Sequence, residues 1–306
     1  MKISIIGAGN IGGLTAMRLA ESGFVEIVLV DLVKDLSQGK AFDLEDAREI
    51  LKYNYNIQGT GDIKKIENSD IVIVTAGLTR KPGMSREDLL TKNAQILKEI
   101  CVNIKELARD SVVIIVTNPV DLMTYLALKI TGFKNSKIIG MGASLDASRF
   151  ANLISQELNI PVTEVEAIVI GAHGEGMLPL SRFTNIKGVP LTKFMDNATI
   201  DALIKKTVTR GAEIVSLLGS TSAYFAPSAA ITEIVKVILK DEKRILGVSA
   251  YLNGEYGIKD ICIGAPCRIG REGIEKIIEL ELDNKEKEIF LKSAESIRRL
   301  TPQLIN

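Results

Sequence analysis

Lys2-Ile-Ser-Ile-Ile-Gly7-Ala8-Gly9-Asn10-Ile11-Gly12, with Asp31 nineteen positions further on, is the stretch that decides the fold. A short apolar run rich in β-branched residues ends at Gly7, and apolar residues at helical spacing (Ile11, Leu14, Met17) begin within the same turn. The order is strand, tight glycine turn, helix. A second β-branched run, Glu26-Ile-Val-Leu-Val30, leads straight into Asp31. Strand and helix therefore alternate, and the spacing predicts a parallel sheet covered on both faces.

Each glycine has a physical reason. Gly7 permits the tight turn, Gly9 lets a pyrophosphate approach the main chain, and Gly12 lets the helix pack closely on the strand. Ala8, Asn10 and Ile11 complete a loop whose phosphates would sit on the free N–H groups of a helix start. An acid at the end of the second strand is placed to accept the ribose hydroxyls of NAD and to repel the 2′-phosphate of NADP. Lys34 is the nearby cation that could offset that repulsion. Taken alone, Asp31 also reads as a solvated loop acid or a helix cap.

The 306 residues suffice for two lobes around a large core, and 46% hydrophobic with 25% charged residues is the composition of an ordinary globular chain. Lys plus Arg and Asp plus Glu number 38 each, so overall charge makes no case for nucleic acid or an anionic membrane. Apolar runs such as 112–116 fall far short of the ~20 residues needed to cross a bilayer, and the run before Gly7 is too short for a secretory leader. A cytoplasmic protein is expected. Cys101, Cys262 and Cys267 form no CxxC and are odd in number, which argues for buried thiols rather than disulfides. With one histidine and scattered cysteines, no metal site is expected.

Residues 35–53 read as a long helix whose apolar Ala41, Phe42, Leu44, Ala47, Ile50 and Leu51 form a wide stripe. Such a stripe serves a core-facing helix or a subunit contact. Strands at 57–60, 71–75, 112–116 and 137–140, with helices at 87–108 and 121–131, complete a six-stranded Rossmann pattern, a doubly wound parallel sheet. The fold class is α/β, with an NAD-binding domain over 1–142 and a C-terminal α+β substrate-binding domain over 143–306. No Pro/Gly/Ser-rich linker separates them, so the two should be closely packed.

Chemistry-bearing residues gather at predicted strand ends, where ligands of open α/β sheets bind. Leu78-Thr-Arg80-Lys81-Pro82-Gly83-Met84-Ser85-Arg86 brings three cations to the end of the fourth strand, which suits an anionic substrate, although a solvated basic loop has the same composition. The next strand ends in Val116-Thr117-Asn118-Pro119, where Asn118 is a crevice-facing donor and acceptor or a simple turn former. Asn93 lies near the start of the intervening helix. In the second half, Ser144-Leu-Asp146-Ala-Ser-Arg149-Phe150 opens a helix over 144–158 with Asp146 and Arg149 on one face, in itself an ordinary i,i+3 ion pair. A strand over 165–170 ends in Gly171-Ala-His173-Gly174-Glu175-Gly176. His173 is the only histidine, and flanking glycines expose a ring suited to proton exchange near neutral pH, with a purely structural role as the alternative. Helices at 199–218 and 227–239, a hairpin of 244–252 with 256–264 across Asn253-Gly254, and a helix at 284–299 finish the chain.

The assembled motifs GAGNIG, Asp31, TAGLTRKPGMSRxDLL, VTNP, LDASRF and GAHGEG resemble, in order and spacing over nearly all 306 residues, the lactate/malate dehydrogenase family, and more closely its malate dehydrogenases of lactate dehydrogenase-like type. The resemblance implies NAD as cofactor and malate or oxaloacetate as substrate, with a place in the tricarboxylic acid cycle. It implies His173 as acid/base, Asp146 as its orienting partner and Arg149 as the clamp on the C1 carboxylate. Arg86 would polarise the ketone, Arg80 would pair with the second carboxylate, Asn118 would bridge substrate and cofactor, and Asn93, Val116 and Thr117 would line the nicotinamide site. It also implies a homotetramer, or a homodimer. A lactate dehydrogenase and a catalytically silent NAD-binding protein are the competing readings. Two departures stand out. His173-Gly174-Glu175 lengthens the expected aspartate, and Gly142-Ala-Ser precedes Leu145.

Overall fold

The computed structural model describes residues 1–23, 26–79 and 86–305, apart from the side chains of Arg86 and Ile305. The first half runs β1 (Lys2–Ile6), α1 (Asn10–Glu21), β2 (Glu26–Val30), α2 (Lys34–Leu51), β3 (Ile57–Thr60), β4 (Ile71–Val74), α3 (Arg86–Leu107), β5 (Val112–Ile115), α4 (Val120–Thr131) and β6 (Ile138–Gly140). The second runs α5 (Ala143–Leu158), β7 (Val165–Glu166), β8 (Val169–Gly171), β9 (Met177–Pro179), β10 (Asn185–Ile186), β11 (Val189–Pro190), α6 (Asn197–Leu218), α7 (Phe225–Lys240), β12 (Arg244–Asn253), β13 (Lys259–Gly270), β14 (Gly273–Ile277), α8 (Asn284–Leu300) and α9 (Pro302–Ile305).

Strands β3-β2-β1-β4-β5-β6 are parallel neighbours in that order, the doubly wound arrangement the sequence predicts. Their residues are buried on both faces because helices cover both sides, which is why the strands read as continuous apolar runs. The sheet does not stop at β6. Ser249 of β12 pairs with Gly140, and the path continues antiparallel through β13, β8 and β9. One apolar cluster mixes Ile3, Ile5 and Ile73 with Ile231, Ile234 and Val248, so the two halves share a core.

Helix α4 is buried along nearly its whole length between the sheet and α3, α8 and α9. That position accounts for a sequence that is apolar all round rather than striped. Helix α8, by contrast, is one-sided and starts with a capping box in which Asp283 accepts from Glu286 N–H and the Glu286 side chain accepts from Asp283 N–H.

Two local expectations are corrected. The apolar run 165–170 is not one strand, because the chain changes partner inside it. β7 pairs with β10 in a separate three-stranded sheet, whereas β8 joins β13 and β9 in the main one. The hairpin also differs at its far arm. Tyr256 lies in a short 3-10 turn with φ 55°, and β13 begins only at Lys259 and continues past Pro266 to Gly270, where β14 folds back on it. The Pro266 carbonyl accepts from Ile278 N–H at 2.8 Å, so the proline continues the strand.

Candidate active site

The glycine turn joins β1 to α1 as the sequence requires. Gly7 has φ 109°, and a Cβ on Gly12 would fall 1.8 Å from the Gly7 carbonyl oxygen, so neither place accepts a side chain. Gly9 differs. Among the described residues a Cβ there would meet no heavy atom within 4 Å, and Gly9 and Asn10 are exposed at the start of α1, leaving an open cradle in front of the first-turn N–H groups. Ala8, by contrast, is buried, and Ile11 is partly so. Asp31, at the end of β2, is held beside this turn: Oδ2 accepts from Ala8 N–H at 2.6 Å and Oδ1 from Val33 N–H at 2.9 Å. An open cradle with an oriented carboxylate at its edge fits a dinucleotide.

Lys40 is an addition that no motif announces. Its Nζ donates to the Gly9 carbonyl at 2.9 Å from across α2, and burial lowers its pKa while the Asp31 charge raises it.

At the neighbouring strand ends, Asn93 is fully buried and joins two loops. Its Oδ1 accepts from Leu78 N–H at 2.7 Å, and its Nδ2 donates to the Leu78 carbonyl at 3.2 Å and to the Asn118 carbonyl at 2.7 Å. Thr117 Oγ1 donates to the Ala76 carbonyl at 2.6 Å, Val116 is buried, and Asn118 is exposed at the end of β5. Arg80 lies outside the described residues. Arg86 opens α3, and its side chain lies outside them too.

His173, Asp146 and Arg149 come together. His173 follows β8 and lies against the end of the parallel sheet: a Cβ on Gly142 would be 3.1 Å from the His173 Cβ and 3.2 Å from Val120 Cγ1. His173 Nδ1 is 2.7 Å from Asp146 Oδ2, and Arg149 Nη1 donates to Asp146 Oδ1 at 3.1 Å. Asp146 is 1% exposed, so its charge acts in a poorly screened setting. Burial works to lower the His173 pKa, but the charge and hydrogen bond of Asp146, with the charge of Asp121 added, outweigh burial and the opposing Arg149 and leave it raised. For Arg149, burial is the largest influence and lowers the pKa, Asp146 raises it, and Arg210 lowers it further.

Asp121 is the acidic residue that motif reading overlooks. It accepts from the His173 backbone N–H at 2.8 Å and is 5% exposed. A signal existed in the sequence, since a lone acid in the first turn of a helix apolar all round must be buried and partnered.

The fold and this site define a dinucleotide-binding α/β protein with a carboxylate-backed imidazole at the carboxyl edge of the same parallel sheet. Residues 1–140 match the lactate/malate dehydrogenase NAD binding domain, and residues 143–302 match the lactate/malate dehydrogenase alpha/beta C-terminal domain. The chain belongs to the lactate/malate dehydrogenase family. It is 50% identical over 299 residues to a malate dehydrogenase of Methanosarcina mazei, covering 98% of this chain and 97% of that one. The structure of the malate dehydrogenase from Aeropyrum pernix superposes with a TM-score of 0.96 at 40% identity, covering 99% of this chain and 100% of the other. A Cryptosporidium parvum lactate dehydrogenase complexed with lactic acid and nicotinamide adenine dinucleotide superposes equally well, with a TM-score of 0.96 at 34% identity over 100% and 98% of the two chains.

Proposed function

We propose that this chain is an NAD-dependent malate dehydrogenase that interconverts (S)-malate and oxaloacetate, with residues 1–142 binding the cofactor and residues 143–306 the substrate. The observation that carries the reading is the contact of His173 with Asp146 and of Asp146 with Arg149, with His173 against the Gly142 end of the same parallel sheet whose first strand leads into the glycine turn. A catalytically silent relative has no need to keep a buried carboxylate on its only histidine.

Asp146 occupies Nδ1, so Nε2 is the nitrogen that takes the C2 hydroxyl proton of malate, and the Asp146 anion stabilises the imidazolium that results. Bound NAD would supply the acceptor for the hydride leaving C2. Arg149 keeps donors beyond the one facing Asp146 and holds the C1 carboxylate with them. Asn118 reaches substrate oxygen and cofactor from the end of β5. Asn93 shapes the nicotinamide wall with Val116 and Thr117, because it fixes the loops that form that wall. Gly7 to Gly12 and Asp31 receive the pyrophosphate and the ribose hydroxyls. For Arg86, which polarises the ketone, and Arg80, which meets the second carboxylate, the support is the sequence motif that carries them.

Arg80 decides between this reading and a lactate dehydrogenase, which the equal superposition on a lactate enzyme keeps in play. A buried cation facing a methyl group instead of a carboxylate loses its partner, which costs on the order of 3 to 5 kcal/mol, a factor of a hundred or more. NADH oxidation with oxaloacetate is therefore expected to exceed that with pyruvate at least about a hundredfold in kcat/KM, and Arg80→Gln to shift the preference toward pyruvate. Equal changes with both substrates would remove Arg80 as the specificity residue.

A homotetramer, or a homodimer, is supported by the large apolar side chains that α2 leaves exposed, Phe42, Ile50 and Leu51, while Ala41 is buried. Three free buried cysteines support a reducing compartment such as the cytoplasm, and the substrate pair supports a step of the tricarboxylic acid cycle.

A further inference from the structure

Asp121 stands in the first turn of α4, two residues after Pro119, and its carboxylate is divided between two distant parts of the chain. Oδ2 accepts from the His173 backbone N–H at 2.8 Å, and Oδ1 accepts from Ser249 Oγ at 2.5 Å. Ser249 is the residue of β12 that pairs with Gly140 of β6. One side chain thus ties the end of the nicotinamide wall, the histidine loop and the seam of the sheet to each other. Neither hydrogen bond needs a charge. An asparagine would accept from His173 N–H through its oxygen and donate to Ser249 through its amide, since a hydroxyl serves in either sense. Burying a carboxylate where an amide would do is unfavourable. The charge itself requires an explanation.

We propose that Asp121 is a positioning residue for proton transfer, a second carboxylate that fixes the His173 main chain and adds negative potential behind the imidazole, in concert with Asp146. The proposal rests on His173 being the acid/base. Among the described residues, the groups facing His173 are Asp146 and Arg149 from α5 and Asp121 from α4, and those facing Asp121 are His173, Asp146, Ser249 from β12 and the Cys262 thiol from β13. Burial pushes Asp121 up to about 6; the Ser249 and His173 hydrogen bonds and the His173 charge pull it down, and Asp146 adds to the rise. The carboxylate is thus charged at neutral pH and discharges just below it.

A single histidine makes the test direct. In the untagged full chain labelled with [13Cε1]-histidine, the imidazole signal belongs to His173 alone. Asp121→Asn is expected to lower the NMR titration midpoint by roughly half to one pH unit. The falling limb of oxaloacetate reduction and the rising limb of malate oxidation should move to lower pH by the same amount, with the NADH Kd within about twofold of wild type. An unmoved NMR midpoint overturns the proposal. A moved midpoint with unmoved rate profiles would show that Asp121 sets the His173 charge while His173 is not the acid/base, and so overturns the proton-transfer role through the reading it rests on rather than through the Asp121 contact. Ser249→Ala is the second variant, useful if the first does not fold. It keeps the carboxylate but weakens its ionised form, so the midpoint should shift in the same direction by less, and no shift again overturns the proposal.

Discussion

At the scale of single residues, the proposed acid/base role of His173 makes the charges around it the determinants of rate and pH dependence. A raised imidazole pKa lets oxaloacetate reduction persist to higher pH than an isolated histidine would allow, and malate oxidation should rise through the same value. His173→Asn should bind NADH normally and lose at least about a hundredfold in turnover, read by fluorescence titration beside steady-state rates. Loss of NADH binding or of the fold would assign the residue a structural role. Asp31→Ser should narrow the preference for NAD over NADP, because it removes both the acceptor for the ribose and the charge that repels a 2′-phosphate; better efficiency with NAD would count against that role. Asp121 has a stability consequence of unusual sign. Its folded pKa of about 6 lies above the ordinary 3.8, so between those values the folded chain binds more protons than the unfolded one, and stability falls as pH rises, by about 3 kcal/mol over the window. Asp121→Asn is free of that penalty. Its Tm relative to wild type should therefore climb between pH 4 and pH 8, and a pH-independent difference would show that burial leaves the carboxylate unperturbed.

Among the elements, the strand-turn-helix at the N-terminus gives two opposite outcomes from one kind of substitution. Gly12→Ala drives a methyl group into the Gly7 carbonyl, so the turn must open and both Tm and NADH binding should fall. Gly9→Ala meets nothing among the described residues, so Tm should stay within a few degrees while NADH affinity drops, because the methyl would stand on the proposed approach of the pyrophosphate. If Gly9→Ala bound NADH normally, the cradle would not be the cofactor site. This motif was legible because glycine spacing and the switch of apolar period are local signals. The division of 165–170 into β7 and β8 was not. An apolar run shows that a segment is buried without showing which strand it pairs with, and here the pairing changes between Glu166 and Val169.

For the molecule as a whole, the legible part of the site was what each motif holds within itself, such as Asp146 and Arg149 one helical turn apart. Contacts that join distant segments were not legible: Asp121 meets His173 52 residues away and Ser249 128 away. Lys40 reaches Gly9 across 31. The assembly is a question at this scale too. Phe42→Glu or Ile50→Glu on α2 should reduce the sedimenting mass without disturbing NADH binding. A wild-type chain that sediments as a monomer at micromolar concentration would remove the subunit-contact reading. The seam between β6 and β12 carries one more consequence. Cutting the gene near residue 142 would yield two polypeptides, each with a raw strand edge and half of a shared apolar core. Expressed apart they should precipitate, and expressed together they should reassociate, with fragment complementation rather than independent folding as the outcome.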